Sequence, residues 1–131
     1  LNPSLFIQFS RLFLQNFLGK KKFLKKYNDN YEMNSIAYKK KIVQSQYLSG
    51  CFMFCRVKNL NKVNWFDERF FMYLEDADLT RMLSNLGNCD HIPFISVGHV
   101  WAKGSHNNLK LKLIAISSFF IYSLKWGLKI F

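Results

Sequence analysis

Five carboxylates stand close together in this chain: Asp67, Glu68, Glu75, Asp76 and Asp78. They are most of its 8 acids, set against 19 Lys and Arg and a formal charge of +11. Carboxylates that flank a reacting group can take and give protons. A basic protein that gathers its acids in one place has a use for them, as chemistry or as caps on a helix start. Three histidines follow downstream, His99 and His106 among them. Cys51 and Cys55 lie four apart and Cys89 stands alone. That spacing fits neither a disulfide framework nor a zinc site. The cysteines read as small apolar core residues in a reducing cytoplasm.

The elements that must position these groups are legible in outline. Glu75, Asp76 and Asp78 fill the first turn of a helix, where the helix dipole favours negative charge. Leu79, Met82, Leu83 and Leu86 then recur at helical spacing, making one apolar face. Gly87 is placed to end that helix as a C′ glycine. Upstream, YLSGCFMFCRV within 46–57 predicts a strand buried on both faces. Residues 58–64 suit a helical turn, and 65–74 an irregular aromatic-rich lead into the acidic helix. Residues 89–94 and 96–101 read as short strands, or as one strand bent at Pro93.

The ends of the sequence are basic. Residues 4–18 predict a helix with Ser4 as N-cap and Gly19 as stop. A lysine cluster from Lys20 to Lys26 follows, then a polar loop over 28–45. The stretch from Leu109 to Phe131 predicts a second long helix. Its uncharged run, Leu113 to Leu124, has 12 residues, against the roughly 20 that a spanning helix needs. It reads as a core-packed or membrane-surface helix, with Lys110, Lys112, Lys125, Lys129, Tyr122 and Trp126 as groups an interfacial helix carries.

Taken together, 49–87 reads S-G-C-F-M-F-C-R, then V-N-W-F-D-E-R-F-F-M-Y-L-E-D-A-D-L, then a closing Gly87. This resembles the C-terminal half of family-2 glycosyltransferases, above all the bacterial rhamnosyltransferase-like enzymes of O-antigen and capsule assembly. Their pattern is S-G-A, a strand ending in Arg, G-x-F-D-E-x-F-F-x-Y-x-E-D-x-D-L and a later Gly. The resemblance covers about residues 46–106. It implies an α/β fold, the C-terminal portion of a GT-A nucleotide-diphospho-sugar transferase. On that basis the chain divides into a variable basic segment (1–45), an acceptor-side catalytic half (46–106) and a C-terminal amphipathic helix (107–131).

The resemblance also implies roles. Asp76 would be the general base that takes the proton of the acceptor hydroxyl, and Glu75 would position base or acceptor. Asp78 would contact substrate or cap the helix. Ser49 and Gly50 would lie where backbone approaches substrate, and Trp65 would stack on a sugar or shape the acceptor site. His99 stands about two dozen residues after Asp76, where many such enzymes place a metal ligand or diphosphate contact. A divalent cation, Mg2+ or Mn2+, would be held mainly by a half of the enzyme not recognisable in this sequence. The implied partners are a nucleotide-sugar donor, a glycan or polyprenyl-diphosphate-linked acceptor, and an anionic membrane surface at the inner face of a bacterial plasma membrane.

Three positions depart from the pattern. Asn64-Trp65 replaces a glycine-containing pair. Met82 stands where the family has Arg, with Arg81 one residue away. Ser4 stands where L-N-P would be followed by Asp, and no D-x-D motif precedes Ser49. The chain is therefore expected to bind donor unproductively alone. Composition excludes disorder, since half the residues are hydrophobic and 18% aromatic. With 6 Gly and 2 Pro it also excludes a collagen-like fibre. The competing reading is a small basic module for a membrane surface or nucleic acid, without catalysis. No nucleic-acid motif supports the latter, and nucleic acid is not an expected partner.

Overall fold

The computed structural model describes residues 2–13, 25–26, 29, 40–100 and 108–130. Gly19, Lys20 to Lys22 and His106 lie outside them. Within them the chain runs α1 (Leu5–Phe13), β1 (Val43–Gln44), α2 (Val57–Lys62), α3 (Glu75–Ser84), β2 (Asp90–His91) and α4 (Leu109–Trp126). The strands form one antiparallel ladder, Val43 opposite His91 and Gln44 opposite Asp90.

Helix α4 organises the packing. Asn108 caps it, its side-chain oxygen accepting from Leu111 N–H at 3.3 Å, and Gly127 closes it with φ at +86°. Its inner face presents Ala115, Ser118, Phe119 and Tyr122, which fall on one side at 3.6 residues per turn. Phe119 and Tyr122 join Phe70, Leu74 and Ala77 in the main apolar cluster. Tyr47, Ile121 and Trp126 pack against it. Each large side chain buried there contributes about 1.5–3 kcal/mol. Ser118 Oγ donates to the Met72 carbonyl at 2.6 Å, fastening the lead into α3 onto α4.

Helix α1 begins as its sequence predicts. Ser4 Oγ accepts from Ile7 N–H at 3.4 Å, the N-cap geometry. The tail after α4 supplies two further acceptors, Lys129 C=O to Leu5 N–H at 2.8 Å and Ile130 C=O to Phe6 N–H at 3.0 Å. Orphan amides at a helix start need such partners. The helix expected to end at Gly19 is described only to Phe13.

Three expectations are corrected. Residues 46–56 form no strand, and Phe54 is 94% exposed. Continuous apolar sequence makes a buried strand only where neighbouring strands flank it, and no neighbour is present among the described residues. Gly87 is not a C′ glycine: α3 ends at Ser84 with Asn85 as C-cap in the right-handed region, and Gly87 lacks a positive φ. The turn after Ser84 leaves Leu86 exposed rather than on the helix face. The cysteines are free, with Cys51 exposed and the other two half-buried, so they are not core residues. Other expectations match, among them α2 over the predicted helical turn and the irregular course of 65–74, while of the short strands expected over 89–101 only Asp90–His91 forms among the described residues.

Candidate active site

The acidic helix α3 is set between two partners. Along one side runs the strap 45–50. Gly50 N–H donates to Asp76 Oδ2 at 2.8 Å, and Leu48 N–H donates to Thr80 Oγ1 at 3.2 Å. Thr80 Oγ1 in turn donates to the Asp76 carbonyl at 2.7 Å. The second Asp76 oxygen, Oδ1, accepts from Ala77 N–H at 2.8 Å. Both carboxylate oxygens are thus oriented by backbone donors, and each keeps lone-pair capacity for another proton donor.

Gly50 permits this close approach. A Cβ there would lie 3.1 Å from Asp76 Cβ and 3.4 Å from Asp76 Oδ2. Gly50→Ala is expected to push the strap away from α3 and cost about 1–3 kcal/mol, as small-to-large changes in packed sites do. Chemical denaturation with the Asp76 region followed by NMR checks this. An unshifted midpoint would show that the strap yields freely.

The other side of α3 faces α4. Asp78 lies about 200° around the helix from Asp76 and is fully buried. Its Oδ2 accepts from Lys125 Nζ at 2.8 Å and its Oδ1 from Trp126 Nε1 at 2.6 Å. Lys125 also reaches Asp67 Oδ2 at 3.0 Å, and Arg69 pairs with the same carboxylate at 2.7 Å. The Asp67–Lys125–Asp78 chain therefore ties the F-D-E loop to α3 and α4. Arg81 stacks on this corner, its guanidinium 4.4 Å from the Trp126 ring centroid. Met82, at the family's Arg position, places Sδ 3.5 Å from Lys125 Nζ.

The five acids are therefore not one cluster. Asp76 addresses the strap, Asp67 and Asp78 hold Lys125, and Glu68 is exposed. Asp78, with no exposed surface and both oxygens engaged, offers nothing to a substrate from where it lies. Glu75 is half-buried, and its Oε2 is buried without a hydrogen-bond partner. Burial lifts the Glu75 carboxyl above the usual range, and the neighbouring Asp76 charge adds to the effect.

Asp67 shifts the opposite way. The Arg69 hydrogen bond holds its carboxyl far below the usual range, against the desolvation of its half-buried position, with Lys125 adding to the lowering. A depressed folded value means that the unfolded chain binds more protons as pH falls. The stabilisation is present above the unfolded value near 4 and is lost progressively below it. Thermal melts are expected to show Tm dropping on acidification below about pH 4, with a shallower drop in Asp67→Asn. Equal slopes in the two proteins would rule this out.

The remaining expected site residues are dispersed. Ser49 sits on the strap beside Gly50 and is exposed. Trp65 is partly exposed, with Nε1 donating to Asn61 Oδ1 at 2.9 Å. Asn64 and Trp65 have φ of 57° and 62°. That left-handed backbone explains why a glycine suits this pair, and Asn is among the residues that tolerate it. Tyr73 and Leu74 also have positive φ, at 72° and 66°, in the two residues that lead directly into Glu75. His99 is exposed in an irregular stretch. No group of three or more His, Cys, Asp or Glu converges among the described residues, so these residues by themselves do not fit a divalent cation. The sequence reading missed Thr80 and the tie that Asp67 and Lys125 form. The only signals for them were the F-D-E triplet and a Lys-Trp pair within an apolar helix.

The chain is 35% identical over 81 residues to the rhamnosyltransferase WbbL of Escherichia coli strain K12. The match takes in 62% of this chain and 27% of that protein. Over that segment the chain is related to a glycosyltransferase. It spans about a quarter of the length of this curated relative. No protein-family model matches the chain, and no solved structure matches it significantly.

Proposed function

We propose that this chain is the acceptor-side part of a GT-A-type glycosyltransferase, with Asp76 as its general base. The observation that carries the reading is the 2.8 Å hydrogen bond from Gly50 N–H to Asp76 Oδ2. It joins the S-G and E-D ends of the motif string across 26 residues and leaves the carboxylate oriented. The similarity to a rhamnosyltransferase supports the same reaction class and makes rhamnose the first sugar to test.

The reaction follows from the chemistry of the carboxylate. An acceptor hydroxyl on a glycan or polyprenyl-diphosphate-linked acceptor donates to Asp76. As its oxygen bonds to the anomeric carbon of a nucleotide-sugar, the proton passes to Asp76. The nucleoside diphosphate leaves with the electron pair of the broken bond. Glu75, beside Asp76 in the first turn of α3, would position the acceptor. Ser49, Gly50 and Trp65 would border it. A divalent cation, if His99 contributes to one, needs ligands from beyond the described residues. The test is transfer from nucleoside-diphosphate-linked rhamnose to a lipid-linked glycan by the chain with whatever its reading frame carries on either side. Absence of transfer from any nucleotide-sugar would overturn the reading.

One observation favours a second reading, the basic membrane-surface module. Leu109, Leu113, Phe120 and Leu124 are all exposed and fall on one stripe of α4, opposite its packed face. Among the described residues no helix is long and apolar enough to cross a membrane. With a charge of +11, the stripe suits an anionic lipid surface, and it equally serves an enzyme working on a lipid-linked acceptor at the inner bacterial membrane. The protein is expected to float with phosphatidylglycerol vesicles and not with phosphatidylcholine ones. Phe120→Asp with Leu124→Asp should abolish flotation; its persistence would exclude the stripe.

A further inference from the structure

The strap and α3 run antiparallel, pairing Gly50 with Asp76, Leu48 with Thr80, and Ser45 N–H with the Cys89 carbonyl beyond the helix end. Asp76 lies at one end of this alignment. At the other end opens a cavity of about 420 Å³. Its wall includes the amides of Asn2, Gln44, Gln46 and Asn85, the Ser84 hydroxyl and the Arg81 guanidinium. Among the described residues it contains no carboxylate and no apolar side chain. Arg81 to Ser84 lie about 7–12 Å along the helix axis from Asp76 at 1.5 Å per residue.

The chemistry of the side chains in the wall says what it would hold. Arg81 is held by its stack on Trp126 and by donation to Tyr122 Oη at 3.4 Å. It forms no ion pair with a carboxylate among the described residues. Four side-chain amides each offer a donor and an acceptor, which suits hydroxyl groups that do both. A phosphate fits poorly. Arg81 is the sole cation in the wall, and Ser84 and Asn85 stand at the C-terminal end of α3, where the helix dipole repels anions.

We propose that this cavity is a saccharide subsite, holding a neutral sugar unit by its hydroxyls at a distance from the hydroxyl that reacts. Its assignment to the acceptor rests on the glycosyltransferase reading; its binding of sugar does not. Free L-rhamnose and N-acetylglucosamine, titrated separately into 15N-labelled protein, should shift the side-chain amide signals of Asn2, Gln44 and Asn85. Gln44→Ala and Asn85→Ala remove exposed side chains, so both should fold. Each should weaken binding about three- to tenfold, the range of one hydrogen bond. Unmoved amide signals with both sugars would overturn the proposal. So would shifts produced by inorganic phosphate and not by sugar. Sugar binding in a protein that transfers nothing would sustain the subsite and sink the enzymatic reading. Transfer with no sugar response at these amides would do the reverse.

Discussion

Asp78→Ala is expected to destabilise the fold by about 3–5 kcal/mol, the usual cost of leaving one partner of a buried ion pair alone. Asp78 is fully buried, and its two oxygens satisfy Lys125 Nζ at 2.8 Å and Trp126 Nε1 at 2.6 Å. Without it both donors lose a partner at the corner where α3, α4 and the F-D-E loop meet. Lys125 keeps the weak Met82 sulfur acceptor and Asp67, a weaker hold because that carboxylate also serves Arg69. Against a typical stability of 5–15 kcal/mol, the variant should unfold at much lower urea. Trp126 fluorescence gives a local reporter, and far-ultraviolet circular dichroism a global one. A loss under about 1 kcal/mol would place the pair among surface ion pairs of little worth. Asp78→Leu with Lys125→Met should recover much of the loss, since replacing both charges with apolar groups is often neutral.

The same pair gives an alkaline signature. Burial of Lys125 lowers its pKa, but the hydrogen bonds it donates to Asp78 and Asp67 outweigh it and raise the value. A raised folded value means stability that is complete below the unfolded value near 10.4 and lost as pH climbs through the folded one.

Asp76→Asn is expected to lower transfer by a factor of about 10²–10⁴, the usual contribution of a general base, while leaving the fold intact. The amide oxygen of Asn can still accept from Gly50 N–H and hold the strap, while Ala77 N–H loses its Oδ1 acceptor. The two variants separate roles that the sequence runs together. Asp78→Ala should lose stability first, and Asp76→Asn activity alone. Steady-state transfer measured beside urea midpoints decides it. A kcat within a few fold of the parent would remove Asp76 from the chemistry, whatever the fate of the fold.

Several parts of this arrangement could be read from residue order. E-D-A-D-L announces a helix start because carboxylates favour the positive end of the dipole, and Leu79 and Leu83 follow on its buried side. Ser4 and the long apolar run after Leu109 were legible for similar local reasons. Residues 46–56 misled because an apolar run reports only that something covers it. No covering strand is present among the described residues. Gly87 misled because a glycine near a helix end is a C′ residue only if the backbone there turns left-handed, and the turn through Asn85 and Leu86 does not.

Order along the chain thus determined which residues are charged, where helices α3 and α4 begin, and that the motif string resembles a glycosyltransferase's. It could not apportion the acids. Asp76 and Asp78 are two residues apart and chemically alike, and a helix turns them to opposite sides. Only the packing of the strap on one side and of Lys125 and Trp126 on the other made the first an oriented, usable carboxylate and the second a buried tie. That division depends on contacts 26, 47 and 48 residues away in sequence, which no local pattern encodes.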